Sequence, residues 1–274
     1  LCVFVADVAA GGGAKPSRVA SLNLAADEVL AEILPAGRLV GVTALVDEQG
    51  TSNALGRVPA SVPRFPKADL ERLLAVQPDL VIVSEYTDAD FLTLLERSGV
   101  RHHRMRGLGS LAGIRQAVLD LGDAVGERAA ADRLIARYDA TLAALEARLR
   151  GAPRPRVLYW AGGLTAGSGT AIGSLIACGG GANLGAELGL SGIAPVGAER
   201  AYAASPDRVL VGEGWQSLES LRKHPLLSQL AAVREGRVLA MPTELLVALN
   251  HHSADACWDL AHRLHPDRVP ATRP

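Results

Sequence analysis

The chain has 274 residues, 49% of them hydrophobic, and its 28 Lys and Arg nearly balance 29 Asp and Glu, for a formal charge of −1. That balance excludes the basic footprint expected of a nucleic-acid or anionic-membrane binder, and the length allows two small domains with separate cores. The longest apolar run, Leu1 to Ala10 interrupted by Asp7, falls short of the roughly 20 residues that span a bilayer.

Residues 1–17 read as the remnant of a secretory signal, with small residues at Gly11 to Ala14, or as a flexible tail. From residue 18 short apolar runs alternate with amphipathic stretches, the pattern of βα units around a mainly parallel sheet. Arg18 to Leu22 reads as a strand, Ala26 to Leu34 as a helix with Asp27 and Glu28 in its first turn, and Leu39 to Val42 as a strand. Asp47 to Lys67 is irregular and rich in Gly, Pro, Ser and Asn, and loops of such length are usually functional. A helix from Asp69, a strand over Leu80 to Val83, a helix over Asp88 to Ser98 stopped by Gly99, and a strand over Val100 to Met105 complete a lobe spanning 18–107.

Residues 108–150 then form a linking helix, broken near Gly126, with Leu134, Ile135, Tyr138, Leu142 and Leu145 at helical spacing. Its second part, Glu127 to Leu149, would run about 34 Å at 1.5 Å per residue. A second lobe, 151–274, contains strands at Arg156 to Trp160, Val209 to Val211 and Arg237 to Met241, a Gly-rich stretch to Gly192, and a last helix from Ser253 to Leu264. The fold class expected is α/β: two Rossmann-like lobes with central, mainly parallel sheets joined by a single long backbone helix.

Glu71 to Val83 aligns without gaps on Glu199 to Val211, identical at seven of thirteen positions where chance gives about one. Each copy reads as a helix beginning near a glutamate, a Pro-Asp stop and a buried strand. Glu71 and Glu199 therefore occupy corresponding places in the two lobes. They serve either as favourable charges at helix amino termini or as paired anchors for basic residues of a two-fold symmetric partner. The three cysteines, Cys2, Cys178 and Cys257, show no zinc-site spacing. In an oxidising compartment two could pair and leave Cys2 for lipid attachment; otherwise all three are buried thiols.

Arg18-Val-Ala-Ser-Leu-Asn-Leu-Ala-Ala-Asp-Glu, Leu39-Val-Gly-Val42, the run from Asp69 to Val83 and the linking helix together resemble the class III periplasmic substrate-binding proteins of ABC importers, which bind vitamin B12, ferric siderophores or haem. The resemblance covers roughly residues 18 to 264. It implies a monomer that is periplasmic or lipid-anchored outside the cytoplasmic membrane and carries a metal chelate, a ferric siderophore or cobalamin-like ligand, to a permease with two-fold related subunits. It also implies that Glu71 and Glu199 dock on that permease. A disulfide in the vitamin B12 binder joins a Cys-Gly-Gly segment to the last helix, which implies pairing of Cys178 with Cys257. Of the aromatic residues around the corrin in that relative, only Phe65 has a clear counterpart.

Open α/β sheets bind ligands beyond the carboxyl ends of their strands. That rule selects Tyr86, Arg106, Trp160, Trp215 and Thr243, with Arg64 and Phe65 on the irregular loop, as cleft residues: aromatics to stack on a flat ligand, arginines to meet its acidic groups. Of the histidines, His252 with Tyr86 would be the participants in a haem or bare-metal site, the alternative within the same fold, although neighbouring histidines on a strand point to opposite faces. A two-domain α/β enzyme is the other alternative. It is disfavoured because Walker A, GxSxG and HExxH patterns are missing from the sequence and Gly167 to Gly173 misses GxGxxG by one position. No catalysis, resident cofactor or nucleic-acid partner is expected.

Overall fold

The computed structural model describes residues 15–213 and 217–273. The first run of apolar segments forms β1 (Val19–Ser21), α1 (Leu24–Ile33), β2 (Leu39–Thr43), β3 (Arg64–Phe65), α2 (Leu70–Ala75), β4 (Leu80–Ser84), α3 (Ala89–Arg97) and β5 (His102–Met105). Its strands make one parallel sheet in the order β3-β2-β1-β4-β5. The helix starts follow from local chemistry: the side chains of Asn23, Asp69 and Asp88 each accept a backbone N–H of the first turn that no intrahelical carbonyl could satisfy.

Two helices follow, α4 (Leu111–Ala124) and α5 (Arg128–Leu149), separated at Gly126, whose φ of 69° suits glycine. At 22 residues, α5 is about 33 Å long. Its first half contributes Leu134, Ile135 and Tyr138 to a core with Val19, Leu30, Ile82 and Ile114, while Leu145 belongs to a core with Tyr159, Leu210, Cys257 and Trp258. Leu142 touches both cores. One helix thus ties two hydrophobic cores together.

The remaining chain forms β6 (Arg156–Tyr159), β7 (Leu164–Ala166), α6 (Ala171–Cys178), β8 (Ala182–Asn183), α7 (Leu184–Glu187), β9 (Ile193–Pro195), α8 (Ala198–Ala204), β10 (Arg208–Gly212), α9 (Ser217–Lys223), α10 (Ala231–Arg234), β11 (Val238–Met241), α11 (Thr243–Leu246) and α12 (Ser253–Leu264). A second parallel sheet has the order β11-β10-β6-β8, and β7 pairs antiparallel with β9. The Gly-rich stretch before Gly192, in which the sequence reading named no strand or helix, contains four of these elements. Ile172 and the deeply buried Leu175 and Ile176 give α6 its buried side, and the Thr170 hydroxyl caps it.

The internal repeat extends into hydrogen bonding. The order β2-β1-β4-β5 in one lobe matches β8-β6-β10-β11 in the other. Asp79 accepts from the backbone N–H of Arg18 before β1, and Asp207 accepts from that of Arg156 at the start of β6. Both arginines donate to a carbonyl at the carboxyl end of the repeat helix that follows in their lobe, Arg18 to Val76 and Arg156 to Ala204. Gln77 and Ser205, at equivalent positions, are the non-glycine residues with positive φ among the described residues, at 46° and 48°. A left-handed residue ends each helix so that the Pro-Asp turn can lead into the central strand.

Candidate functional site

Beyond the carboxyl ends of β4 and β5 lies an open cleft of about 730 Å³, lined by Glu85, Tyr86, Arg104, Arg106, Ser110 and neighbouring glycines, with Gly169 contributed by the second lobe. Its wall is built by Glu85, whose carboxylate accepts from the backbone N–H groups of Gly107 at 3.2 Å and Leu108 at 2.7 Å and so fixes the loop leaving β5. Arg104 donates to the Glu85 carbonyl at 2.8 Å. Arg106 is exposed and makes no hydrogen bond or ion pair with the described residues, leaving its planar guanidinium open to a ligand. Tyr86 presents its ring with 65% of the residue exposed. Partial burial, and then the charge of Glu85, push its phenol above the ordinary value, so at neutral pH it is a hydroxyl donor with an aromatic face.

Of the residues expected in the cleft, Tyr86 and Arg106 line it, while Phe65, Arg64, Trp160 and Thr243 are differently employed. Phe65 is only 3% exposed and packs with Ala20, Leu73 and Val81 in the core. Its ring lies so close to Gly41 that a Cβ there would sit 2.4 Å from it. Arg64 is a clamp of its own loop: it forms a two-bond pair with Asp47 and donates to the carbonyls of Val58, Pro59 and Val62. That pairing holds the Asp47 carboxyl below its usual range. Trp160 is buried with Leu184, Val196 and Val209, and the buried Thr243 hydroxyl donates to the Glu213 carbonyl. Trp215 lies outside the described residues, as does Cys2. Arg104 escaped the strand-end rule, yet it stands two residues before Arg106, and a period of two puts both on one side of the strand.

Glu71 and Glu199 are both exposed and both occupy the second position of their helices, α2 and α8. One turn further on, Leu74 and Tyr202 are also equivalent and are among the exposed large apolar residues. Each lobe therefore carries a carboxylate followed at i+3 by an exposed apolar side chain, spaced to share one helix face.

Tyr86 and His252 are not brought together. His252 pairs with Asp255 and lies near Glu32, and neither His251 nor His252 lines the Tyr86 cleft. The two histidines stand in a turn ahead of α12, not on a strand, so their rings lie side by side with centroids 4.1 Å apart. The disulfide expected between Cys178 and Cys257 is not formed; both are free thiols. Burial, and then the Cys178 thiol against it, push the Cys257 thiol well up. Packing brings the two sulfurs together, but the bond itself depends on an oxidant that packing does not supply.

The family described as "periplasmic binding protein" matches residues 19–245. The cobalamin-binding protein of Halobacterium salinarum, from two strains, is 26% identical over 241 residues, which is 86% of this chain and 64% of that protein. The chain thus spans less than two thirds of the length of these curated relatives. Among solved structures, the apo periplasmic haem-binding protein RhuT from Roseiflexus sp. RS-1 superposes with a TM-score of 0.77 at 25% identity, covering 91% of this chain and 98% of that one. A periplasmic haem-binding protein from Pseudomonas aeruginosa gives 0.77 at 27% identity, with 94% and 96% covered. Helicobacter pylori CeuE with Ni(II) bound gives 0.80 at 17% identity, with 95% and 87% covered, a likeness of fold.

Proposed function

The chain belongs to the periplasmic binding protein family, and on that premise we propose that it captures a metal chelate outside the cytoplasmic membrane and delivers it to the permease of an ABC importer. Members of this family bind substrates for transport and are not enzymes. Within the chelates expected from sequence, the relatives named for cobalamin and haem favour a metallated tetrapyrrole over a ferric siderophore. The observation that carries the reading is the cleft itself: an exposed Tyr86 ring, flanked by Arg104 and Arg106, with backbone glycines from both lobes. A flat macrocycle would stack on the ring, while the guanidiniums would meet its peripheral carboxylate or amide oxygens. Because Tyr86 holds its proton at neutral pH, it acts in this reading as a stacking and hydrogen-bonding group.

Delivery would use Glu71 and Glu199, which the repeat puts at equivalent helix positions and which would meet basic residues on the two related permease subunits. Among the described residues no helix is long and apolar enough to cross a membrane. Titrating the purified protein with cobalamin, with haemin and with a ferric catecholate siderophore, followed by absorbance and intrinsic fluorescence, tests the ligand class. One tetrapyrrole should bind with one-to-one stoichiometry, and Arg106→Ala should weaken it about tenfold, the loss of one charge-assisted hydrogen bond. Binding of the siderophore alone, or multiple-turnover chemistry on any of the three, would overturn the reading.

A further inference from the structure

A cluster at the junction of the lobes has no part in the cleft. Glu32 is on α1 of the first lobe, and His251 and His252 precede α12 in the second. His251 Nε2 lies 3.0 Å from Glu32 Oε1, and His252 Nε2 lies 3.8 Å from the same oxygen. One ligand atom from each residue falls within 4.8 Å of the others. A tetrahedral ion with bonds of about 2.0–2.1 Å holds its ligand atoms about 3.4 Å apart, so the observed separations bracket what such an ion requires. The histidine side chains are 9% and 12% exposed. His252 Nε2, one of the proposed ligand atoms, is buried without a hydrogen-bond partner, which is costly for a polar atom unless something else satisfies it.

We propose that Glu32, His251 and His252 bind one divalent transition-metal ion of the zinc type, which clips the two lobes together at a site separate from the ligand cleft. The surroundings have the features of a metal site's outer shell. His252 Nδ1 faces Asp255 Oδ2 at 3.0 Å, so donation there directs the Nε2 lone pair toward Glu32, and Arg273 holds the other Asp255 oxygen. Coordination through His251 Nε2 takes the place of the contact this nitrogen makes with Glu32 Oε1, and the ring proton then sits on Nδ1. Two cations compete for Glu32: Arg57 at 2.5 Å and Arg137 at 3.5 Å. Their side chains are 47% and 64% exposed, so both can turn into water when the ion arrives. Water completes the fourth position.

The inference is independent of the ligand assigned to the cleft. Untagged protein, stripped with a chelator, is titrated with ZnCl2 by calorimetry and with CoCl2 by visible spectroscopy, and melted with and without Zn2+. One ion per chain should bind, the melting temperature should rise by several degrees, and Co2+ should give a tetrahedral nitrogen–oxygen d–d band. Glu32→Gln and His252→Gln should each lower affinity at least tenfold, while His102→Gln, a histidine on β5, should leave it unchanged. Stoichiometry above one with equal losses in His102→Gln, or binding that survives both Glu32→Gln and His252→Gln, overturns the site. The Co2+ spectrum of the unaltered protein needs no variant to fold: a thiolate charge-transfer band would move the ion to Cys178 and Cys257, and no spectral change would remove the site altogether.

Discussion

Asp27 shows how one residue's chemistry is decided by what folds over it. In sequence it is a favourable first-turn carboxylate of α1; in the structure it is fully buried. Burial pushes its carboxyl up to about 7, against the lowering effect of the Thr43 hydroxyl and N–H, which donate to Oδ2 at 2.6 and 3.0 Å. In the unfolded chain it ionises near pH 4. Between these values the folded state keeps a proton that the unfolded state has lost, so this residue's contribution to stability falls as pH rises from about 4 to about 7 and is level above. The total is on the order of 4 kcal/mol. Asp27→Asn should remove that slope: in urea unfolding across pH 4 to 8, the stability of the unaltered protein relative to the variant should decline, and a flat difference would refute the shift. The strand-end rule likewise selected Tyr86 and Arg106, which line one cleft, because strand direction fixes where they emerge. It also selected Trp160 and Thr243, which are buried, since position along a strand does not tell whether a later element covers the side chain.

Among the elements, α2 and α8 are the best example of a pair legible before folding. Their shared Glu, Pro and Asp mark the same helix–turn–strand unit twice, and the matching Arg18 and Arg156 contacts repeat its geometry. The exposed partners Leu74 and Tyr202 became evident only with burial. Glu71→Ala with Glu199→Ala should leave ligand affinity within twofold and abolish most uptake in a reconstituted transporter, because exposed carboxylates contribute little to the fold. A large affinity loss in the purified double variant would reject the docking role. The Gly-rich region was the least legible element group: α6 and α7 have 8 and 4 residues, too short for helical periodicity to emerge from small residues.

For the whole molecule, the junction of the lobes determines what the cleft can hold. Gly109, before α4, approaches Gly169 of the second lobe so closely that a Cβ would stand 2.5 Å from the Gly169 carbonyl oxygen. Since the obstacle is backbone, Gly109→Ala must push the lobes apart. It should cost about 1–3 kcal/mol by denaturant unfolding and weaken ligand binding, and an unchanged midpoint with unchanged affinity would show that the lobes slide freely there. Asn250 closes the same junction elsewhere, donating to Glu28 at 2.6 Å and to the Ala25 carbonyl. By itself the sequence determined the alternation of strand and helix, the doubling of the lobe, the helix stops at Gly99 and Gly126 and the paired glutamates, because periodicity, capping and repetition act over a few neighbouring residues. Only the tertiary structure decided that Arg64 clamps its own loop, that Phe65 and Trp160 are core, and that Glu32 meets His251 and His252 across more than two hundred residues. Those outcomes depend on which distant surfaces come to exclude water from one another, and no local pattern records that.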